Sequence, residues 1–510
     1  MKIEIRPGTG RGTMQAPPSK SMAHRLLIGG ALSAGESVID GISHSEDMLA
    51  TLDCLTALGA TTARNGETVT VTRFDPFSIP ENAVLPCRES GSTLRFFIPL
   101  CLLAGKPVTL TGSEKLLSRP LSVYEEICKK QGILFEQTEN TLRLARDLRH
   151  LLHTHPELSN QEVWTKQTLM AFLKEHTALE VVDRGLWFYA VHRGGPEGKK
   201  LAFRADMDAL PIEETIDLPY GSAIPGVSHK CGHDGHCATL AAFAMEVDRR
   251  GCDNTVYFLF QHAEETGDGA KECAVLLEEE GIEEIFGYHN QMGFPLGEVA
   301  LREDTIQCAS KGMSLFFEGI PAHASDPGVG RNPAQAIARL IRGLPDLYRA
   351  EDYQGLVLCT VIHVEIGEIA VGTSASKGVL RVTIRGENEW EMDLLEKKID
   401  ALAYGLSAEY GLSYRTEFCD VFPETRNHKE SVDRLREVCR DLDIPVHIMP
   451  HPERSSEDFG HFTKIAKGAY FFVGNGNDVS HHTWPFDFPD EIMGPALNIF
   501  CKLAQVKDEK

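Results

Sequence analysis

The chain has 510 residues, 42% of them hydrophobic and 25% charged, the balance of an ordinary folded protein, which excludes disorder throughout. At roughly 100–200 residues per domain it holds about three domains, and its longest uncharged apolar stretch, Phe96–Gly105, is far short of the roughly 20 residues a membrane span needs. The net charge of −23 is uneven: residues 1–140 carry 14 basic and 15 acidic side chains and the remainder 37 and 59, so two modules of different character are expected, the second too acidic for a nucleic-acid partner.

The first residues, MKIEIRPGTG, lack an apolar signal segment, which predicts a cytoplasmic protein with its 13 scattered cysteines as thiols. Residues 1–140 alternate β-like runs (Thr68–Thr72, Val108–Thr111) with helix-like ones (Ser21–Ser33, Gly91–Leu103), an α/β or α+β pattern punctuated by Gly and Pro. APPSKSMAHR (16–25) gathers Lys20, Ser21 and Arg25 in one turn opening a helix. CRESGSTLR (87–95) is a second such turn, around Gly91, and SRP (118–120) adds Arg119. Cations and hydroxyls at helix starts suit a phosphate or carboxylate ligand.

After Asn140 the texture changes. Leu142–His153 has helical periodicity and HPELS (155–159) follows. Leu201–Arg204, Thr255–Gln261, Lys271–Glu280 and Ile285–Tyr288 then read as strand, strand, helix and strand, which predicts a mostly parallel sheet covered on both faces. Residues 312–424 follow a β-α-β-β-α-β order: Met313–Glu318, Pro333–Tyr348, Leu356–Val364, Gly378–Arg385, Asp393–Tyr410 and Ser413–Phe418. That is the ferredoxin-like pattern, inserted as a lid between two parts of a larger α/β domain, 141–311 and 425–510.

Ligand-type side chains concentrate where this reading ends its strands: RADMD (204–208), CGHDGH (231–236), QHAEE (261–265), YHN (288–290) and HHTWPFDF (481–488). Each alone has an ordinary explanation, such as His233 and His236 capping a helix that begins near Cys237. Together they predict a metal site with two adjacent divalent cations, because a thiolate can bridge two ions as two-metal hydrolytic sites require. Imidazole and thiolate point to zinc, and carboxylates also suit manganese. In Glu264-Glu265 one carboxylate can ligate while the other stays free as a general base.

Residues from about 142 to 510 resemble the dinuclear metallo-amidohydrolases that include hippurate hydrolase, aminoacylase and the auxin-conjugate hydrolases. HPELS, RADMDALPIEE, CGHDGH, AEE with GDGA, FGYHN, GIPAHAS and SEDF (456–459) recur in the family's order. The resemblance implies an α/β metallopeptidase-like catalytic domain with an inserted ferredoxin-like lid. It makes Cys231 the bridging ligand and His233, Glu265 and His289 ligands. His482 is the last ligand, preferred to His481 by its place four residues before Phe486-Asp487-Phe488. Glu264 is the base, His323 from the lid polarises the scissile carbonyl, and Asp206 and Asp208 orient ligands. The implied reaction is hydrolysis of a small N-acyl amino acid, with no membrane partner, and the resemblance also brings in a homodimer through the lid. QHAEE for QPAEE and FGYHN for FGLHN depart from the family without touching a ligand.

Residues 1–140 resemble the N-terminal part of 5-enolpyruvylshikimate-3-phosphate synthase (3-phosphoshikimate 1-carboxyvinyltransferase), a partial α+β module. That resemblance makes Lys20, Ser21 and Arg25 shikimate-phosphate contacts and Lys20, Gly91 and Arg119 phosphoenolpyruvate contacts. The later motifs of that enzyme, its catalytic Asp included, have no match here, so no complete transferase is expected in this chain.

Overall fold

The structure, a computed structural model, describes residues 19–113, 116, 121–133 and 141–508. The chain divides into two compact units, Met1–Asn140 and Thr141–Lys510.

In the first unit the order is α1 (Lys20–Leu32), β1 (Glu36–Ile39), α2 (Glu46–Ala57), β2 (Thr62–Asn65), β3 (Thr68–Thr72), β4 (Ala83–Pro86), α3 (Gly91–Leu103), β5 (Val108–Thr111) and α4 (Ser122–Gln131). Strands β1, β3 and β2 make an antiparallel sheet, and β4 pairs β5 in parallel. The Thr-Val alternation of β3 turns Val69 and Val71 inward, where Leu27, Leu55, Leu85 and Phe97 meet them. Alternation with period two made β3 legible in the sequence. Helix α2 was not, because its buried set, Met48, Ala50, Thr51, Leu52, Cys54 and Leu55, is nearly continuous and has no clear stripe.

The second unit begins with α5 (Thr141–Thr154) and α6 (Val163–His176), then β6 (Glu180–Asp183), β7 (Phe188–His192), β8 (Lys200–Asp206), α7 (His233–Arg250), β9 (Thr255–Gln261), α8 (Gly269–Cys273), α9 (Val275–Glu280), β10 (Glu284–Gln291) and β11 (Val299–Leu301). After the inserted segment come α12 (Lys429–Asp441), β20 (Val446–Ile448), α13 (Gly460–Thr463), β21 (Lys467–Gly474) and α14 (Met493–Ala504), the labels α10, α11 and β12–β19 falling within and beside the insertion. Eight strands form one sheet in the order β20-β11-β21-β10-β8-β9-β7-β6. Its centre, β21-β10-β8-β9, is parallel, and β7 and β6 continue it antiparallel. The central strands are buried along nearly their whole length on both faces, which is why they read as unbroken apolar runs.

The insertion is a four-stranded antiparallel sheet in the order β15-β17-β13-β18, made of β13 (Ala309–Glu318), β15 (Val357–Ile366), β17 (Lys377–Gly386) and β18 (Ser413–Phe422). Helices α10 (Ala334–Gly343) and α11 (Glu389–Tyr410) supply the rest of its core. A short ribbon of β12 (Asp304–Gln307) and β19 (Thr425–Asn427) brackets it, and β14 (Ala322–His323) pairs β16 (Thr373–Ser374).

Four expected helices differ, Asp393–Tyr410 by beginning earlier, at Glu389. Pro333–Tyr348 stops as an α-helix at Gly343, because Pro345 cannot continue the ladder, and a 3-10 turn follows. Lys271–Glu280 is two short helices, tightened where the Leu277 N–H donates to Ala274 O. The helix expected near Cys237 begins at His233. Among the described residues no helix is long and apolar enough to cross a membrane.

Phe203 on β8 sits at the centre of this core, its ring 4.7 Å from Phe243, 4.9 Å from Phe500 and 5.7 Å from Phe286. Phe203→Ala is expected to destabilise the C-terminal unit by about 3–5 kcal/mol. Urea unfolding checks this, and an unchanged midpoint would contradict the placement of the core.

Candidate metal centre

Because β8, β9, β10 and β21 run in one direction, their carboxyl ends open on the same edge of the sheet. Asp206 ends β8 with Asp208 just beyond, and the Ala263–Glu265 turn follows β9. His289 and Asn290 lie near the end of β10, and the segment carrying His481 and His482 follows β21.

CGHDGH supplies the pivot, each residue for a separate reason. Gly232 has φ +101, and a Cβ there would stand 2.6 Å from Asn290 Oδ1. A Cβ on Gly235 would enter the Phe488 ring at 2.4 Å, so both positions need glycine. Asp234 accepts from Arg149 Nε (3.1 Å) and His153 Nδ1 (2.7 Å). His236 donates from Nδ1 to Asp206 Oδ1 (2.7 Å), and its Nε2 lies 2.8 Å from Asn290 Oδ1, so both ring nitrogens are engaged. Cys231 and His233 remain, facing the strand ends.

Five side chains converge there. One ligand atom each from Cys231, His233 and His289 lie within 4.8 Å of one another, as do those of Cys231, Glu265 and His482, so Cys231 belongs to both groups. Cys231 Sγ is 3.3 Å from His289 Nε2, and His482 Nε2 is 3.5 Å from Glu265 Oε1. His233 donates from Nδ1 to Asp208 O (3.0 Å) and His289 from Nδ1 to Asn290 O (2.6 Å), which turns each Nε2 inward. His233 Nε2 and Glu265 Oε1 are buried and have no hydrogen-bond partner. Orphaned donor atoms of this kind are costly unless a ligand engages them, and a thiol, imidazoles and a carboxylate are the donor set of a divalent transition metal. The residues therefore fit such ions.

The electrostatics agree. Burial opposes a charged His233, yet Asp206 and Asp208 outweigh it and hold its pKa up at about 10. Burial, with the charges of Glu265 and Glu264, pushes the Cys231 thiol up. Burial, with the neighbouring His236 and His481, pushes the His289 imidazole well down, so the carboxylates favour positive charge around His233 while His289 stays neutral, the form that ligates a metal.

Glu264 forms a further group with His233 and Glu265, its Oε2 3.9 Å from His233 Nε2, and its carboxylate also lies within 4.8 Å of those of Glu457 and Asp458. Burial, then the charges of Glu457 and Glu265, push its carboxyl well above the ordinary range. Two carboxylates hold its turn, in which Ala263 has φ +48. Glu162 accepts from the Ala263 N–H (2.7 Å) and Asp208 from the Glu265 N–H (2.9 Å). Arg204, fully buried, spans the far side, donating to Asp206 (2.6 Å), Glu457 (2.9 Å) and Asp458 (2.8 Å).

His481 and His482 separate clearly. Asn290 Nδ2 donates to His481 Nε2 (2.9 Å), and burial and His482 lower the His481 pKa to about 3, whereas His482 faces Glu265. His323 stands exposed on β14, its Nδ1 2.7 Å from Ser325 Oγ, outside both ligand groups. Of the two departures, His262 Nε2 faces Glu272 (3.5 Å) and Tyr288 OH lies 2.9 Å from Thr239 Oγ1, neither against a ligand.

In the N-terminal unit Lys20 opens α1 in an ion pair with Asp47. Arg25 donates to Ser21 O (2.8 Å) and lies over Phe96. Gly91 opens α3 behind its cap Ser90, which begins a buried chain of hydroxyls through Thr93 and Thr51 to His24. Arg119 lies outside the described residues.

Sequence reasoning passed over Arg149 and Glu162, and it gave no role to Arg204 and Glu457 within the RADMD and SEDF motifs. One signal was available for Arg149: it falls on the face of α5 that Ala145, Leu148 and Leu152 make apolar, where an unexplained charge marks a buried partner.

Residues 202–506 match the model of peptidase family M20/M25/M40, and residues 6–180 match the model of EPSP synthase (3-phosphoshikimate 1-carboxyvinyltransferase). Hippurate hydrolase of Campylobacter jejuni is 30% identical over 368 residues, covering 70% of this chain and 94% of that protein. N-acetylcysteine deacetylase of Bacillus subtilis is 29% identical over 375 residues, covering 71% and 96%. The crystal structure of YXEP from B. subtilis, described as a dinuclear metal binding peptidase of family M20, superposes with a TM-score of 0.62 at 25% identity, over 71% of this chain and 97% of that one. With the fold, the ligand groups and the relatives in agreement, the chain belongs to peptidase family M20/M25/M40 and is an amidohydrolase.

Proposed function

We propose that the C-terminal unit hydrolyses the amide bond of small N-acyl amino acids of the hippurate or N-acetyl type. The observation that carries this reading is the pair of ligand groups sharing Cys231, with Glu264 beside them. Cys231, His233 and His289 would hold one divalent cation, zinc or manganese, and Cys231, Glu265 and His482 a second. Bound there, such ions supply positive charge that polarises an amide carbonyl and acidifies water. Glu264 takes a proton from the attacking water on its carboxylate and returns it to the leaving amide nitrogen. Asp208 and Glu162 fix the turn that aims Glu264, and Asp206 and Asp208 hold His236 and His233 in orientation. His323 donates to the carbonyl oxygen as charge develops on it. The two named relatives, a hippurate hydrolase and an N-acetylcysteine deacetylase, support this substrate class.

The lid supports a homodimer. Strand β15 is one of the two edges of its sheet, the other being β18, and exposes Ile362, Val364 and Ile366 along that edge. A second copy adding its own β15 would cover that edge.

The transferase reading of residues 1–140 has less behind it. It rests on the match to the EPSP synthase model and on Lys20 and Gly91 at helix starts, while Lys20 is already paired with Asp47.

Glu264→Gln is expected to lower kcat on an N-acetyl and N-benzoyl amino acid panel by about 10²–10⁴-fold while bound metal stays at the wild-type level. Retained turnover would remove Glu264 as the base, and a chelator that left wild-type hydrolysis intact would overturn the metal reading. Ile362→Lys is expected to halve the particle mass in sedimentation equilibrium, and a monomeric wild type would dismiss the lid dimer.

A further inference from the structure

His482 is an unusual side chain to rely on. It is 51% exposed, and its backbone has φ +59, a region that a β-carbon disfavours. Among the described residues its backbone is anchored by one hydrogen bond, from its N–H to Lys230 O (2.8 Å), and its ring faces Glu265. Cys231, His233 and His289, by contrast, stand at the start of α7 and within β10, both buried.

What holds the His482 segment lies four to eight residues further on. Asp487 and Asp490 both receive the guanidinium of Arg149, the latter at 2.9 Å. Tyr220 OH donates to Asp487 Oδ2 (2.8 Å) and stacks under Arg149, whose Cζ is 4.8 Å from the ring centroid. His150 Nε2 lies 2.9 Å from Asp490. Lys230 Nζ donates to Phe486 O (2.8 Å). The third partner of Arg149 is Asp234, in the first turn of α7 beside His233. One guanidinium, with none of its surface exposed, therefore ties the helix turn of the first ligand group to the segment of the second.

We propose that Arg149 is a positioning residue for the second cation site: by clamping Asp487 and Asp490 against Asp234, it holds His482 opposite Glu265 and Cys231. The proposal rests on the two-cation reading above. Without the guanidinium, three carboxylates face one another across the joint and repel, and the strained His482 backbone is free to relax away from Glu265. Lysine cannot replace it, since an ammonium has no planar fork to meet several carboxylates at fixed angles. No residue of the segment belongs to the first ligand group, and Asp234 keeps its bond from His153 when the guanidinium is removed, so that group keeps its geometry.

The test is zinc binding by the full chain, stripped with chelator and followed by calorimetry with elemental analysis. Wild type is expected to take up two ions per chain. Arg149→Met and Asp487→Asn are expected to keep the first step unchanged and weaken the second by tenfold or more, within the ~10–100-fold range for groups that orient metal ligands. His482→Ala sets the benchmark that both should approach, and a merely destabilising change would weaken both steps together. Asp487→Asn is nearly isosteric, so it decides the matter where Arg149→Met does not fold by circular dichroism. Two ions bound at wild-type affinity by a folded variant overturns the clamp. A wild type that binds fewer than two overturns the two-cation reading itself.

Discussion

The entry to α7 is the constraint on which the C-terminal unit turns. Gly232 must take a positive φ, and both it and Gly235 must lack a side chain, because Asn290 and the Phe488 ring occupy the space a Cβ would need. That close approach brings three elements into one place. Strand β10 delivers His289 and Asn290, helix α7 delivers His233, and the segment after β21 delivers Phe488 together with His482. A larger residue at either glycine would push these elements apart and separate the ligand atoms with them.

Around that joint the protein buries an unusual amount of charge. Arg149, Arg204 and Lys230 are inside, each against carboxylates. Buried ion pairs are weak sources of net stability, since desolvation consumes most of the attraction. Their value here is geometric. A guanidinium meeting two or three carboxylates fixes the angles between the segments that bear them, which apolar contacts do loosely. Arg204 does this between β8 and the Glu457-Asp458 loop, and Arg149 between α5, α7 and the C-terminal segment. Both act on segments that carry or flank the ligand groups.

The two units stand in different relation to their families. The C-terminal unit spans nearly the whole of its relatives, 94% and 96% of the two named, and brings its candidate ligand side chains within reach of one another. The EPSP synthase match runs over residues 6–180, past the division of the structure at Asn140. Residues 141–180 include α5 and α6, which pack in the C-terminal core through Leu148, Leu152, Leu169 and Leu173. Arg149 lies in this stretch as well, ahead of the residues matched by the M20 model, so the charge that secures the His482 segment comes from outside that match.

Local chemistry determined much of this protein. Period-two alternation defined β3, unbroken apolar runs defined the central strands, and the β-α-β-β-α-β order of 312–424 defined the antiparallel sheet of the insertion. Clusters of His, Cys, Asp and Glu at strand ends marked the candidate metal centre, and the structure brings one ligand atom from each of Cys231, His233 and His289, and of Cys231, Glu265 and His482, within 4.8 Å. Only the tertiary structure decided which atoms meet. His481 and His482 are neighbours with the same chemistry, and Asn290, 191 residues away from His481, engages one of them. Arg149 reads in the sequence as one more charge on an amphipathic helix, and its three partners lie 85, 338 and 341 residues further along. Sequence patterns report what a residue does for its own helix or strand. Partners so distant leave no periodic trace, because their pairing is set by how the elements pack.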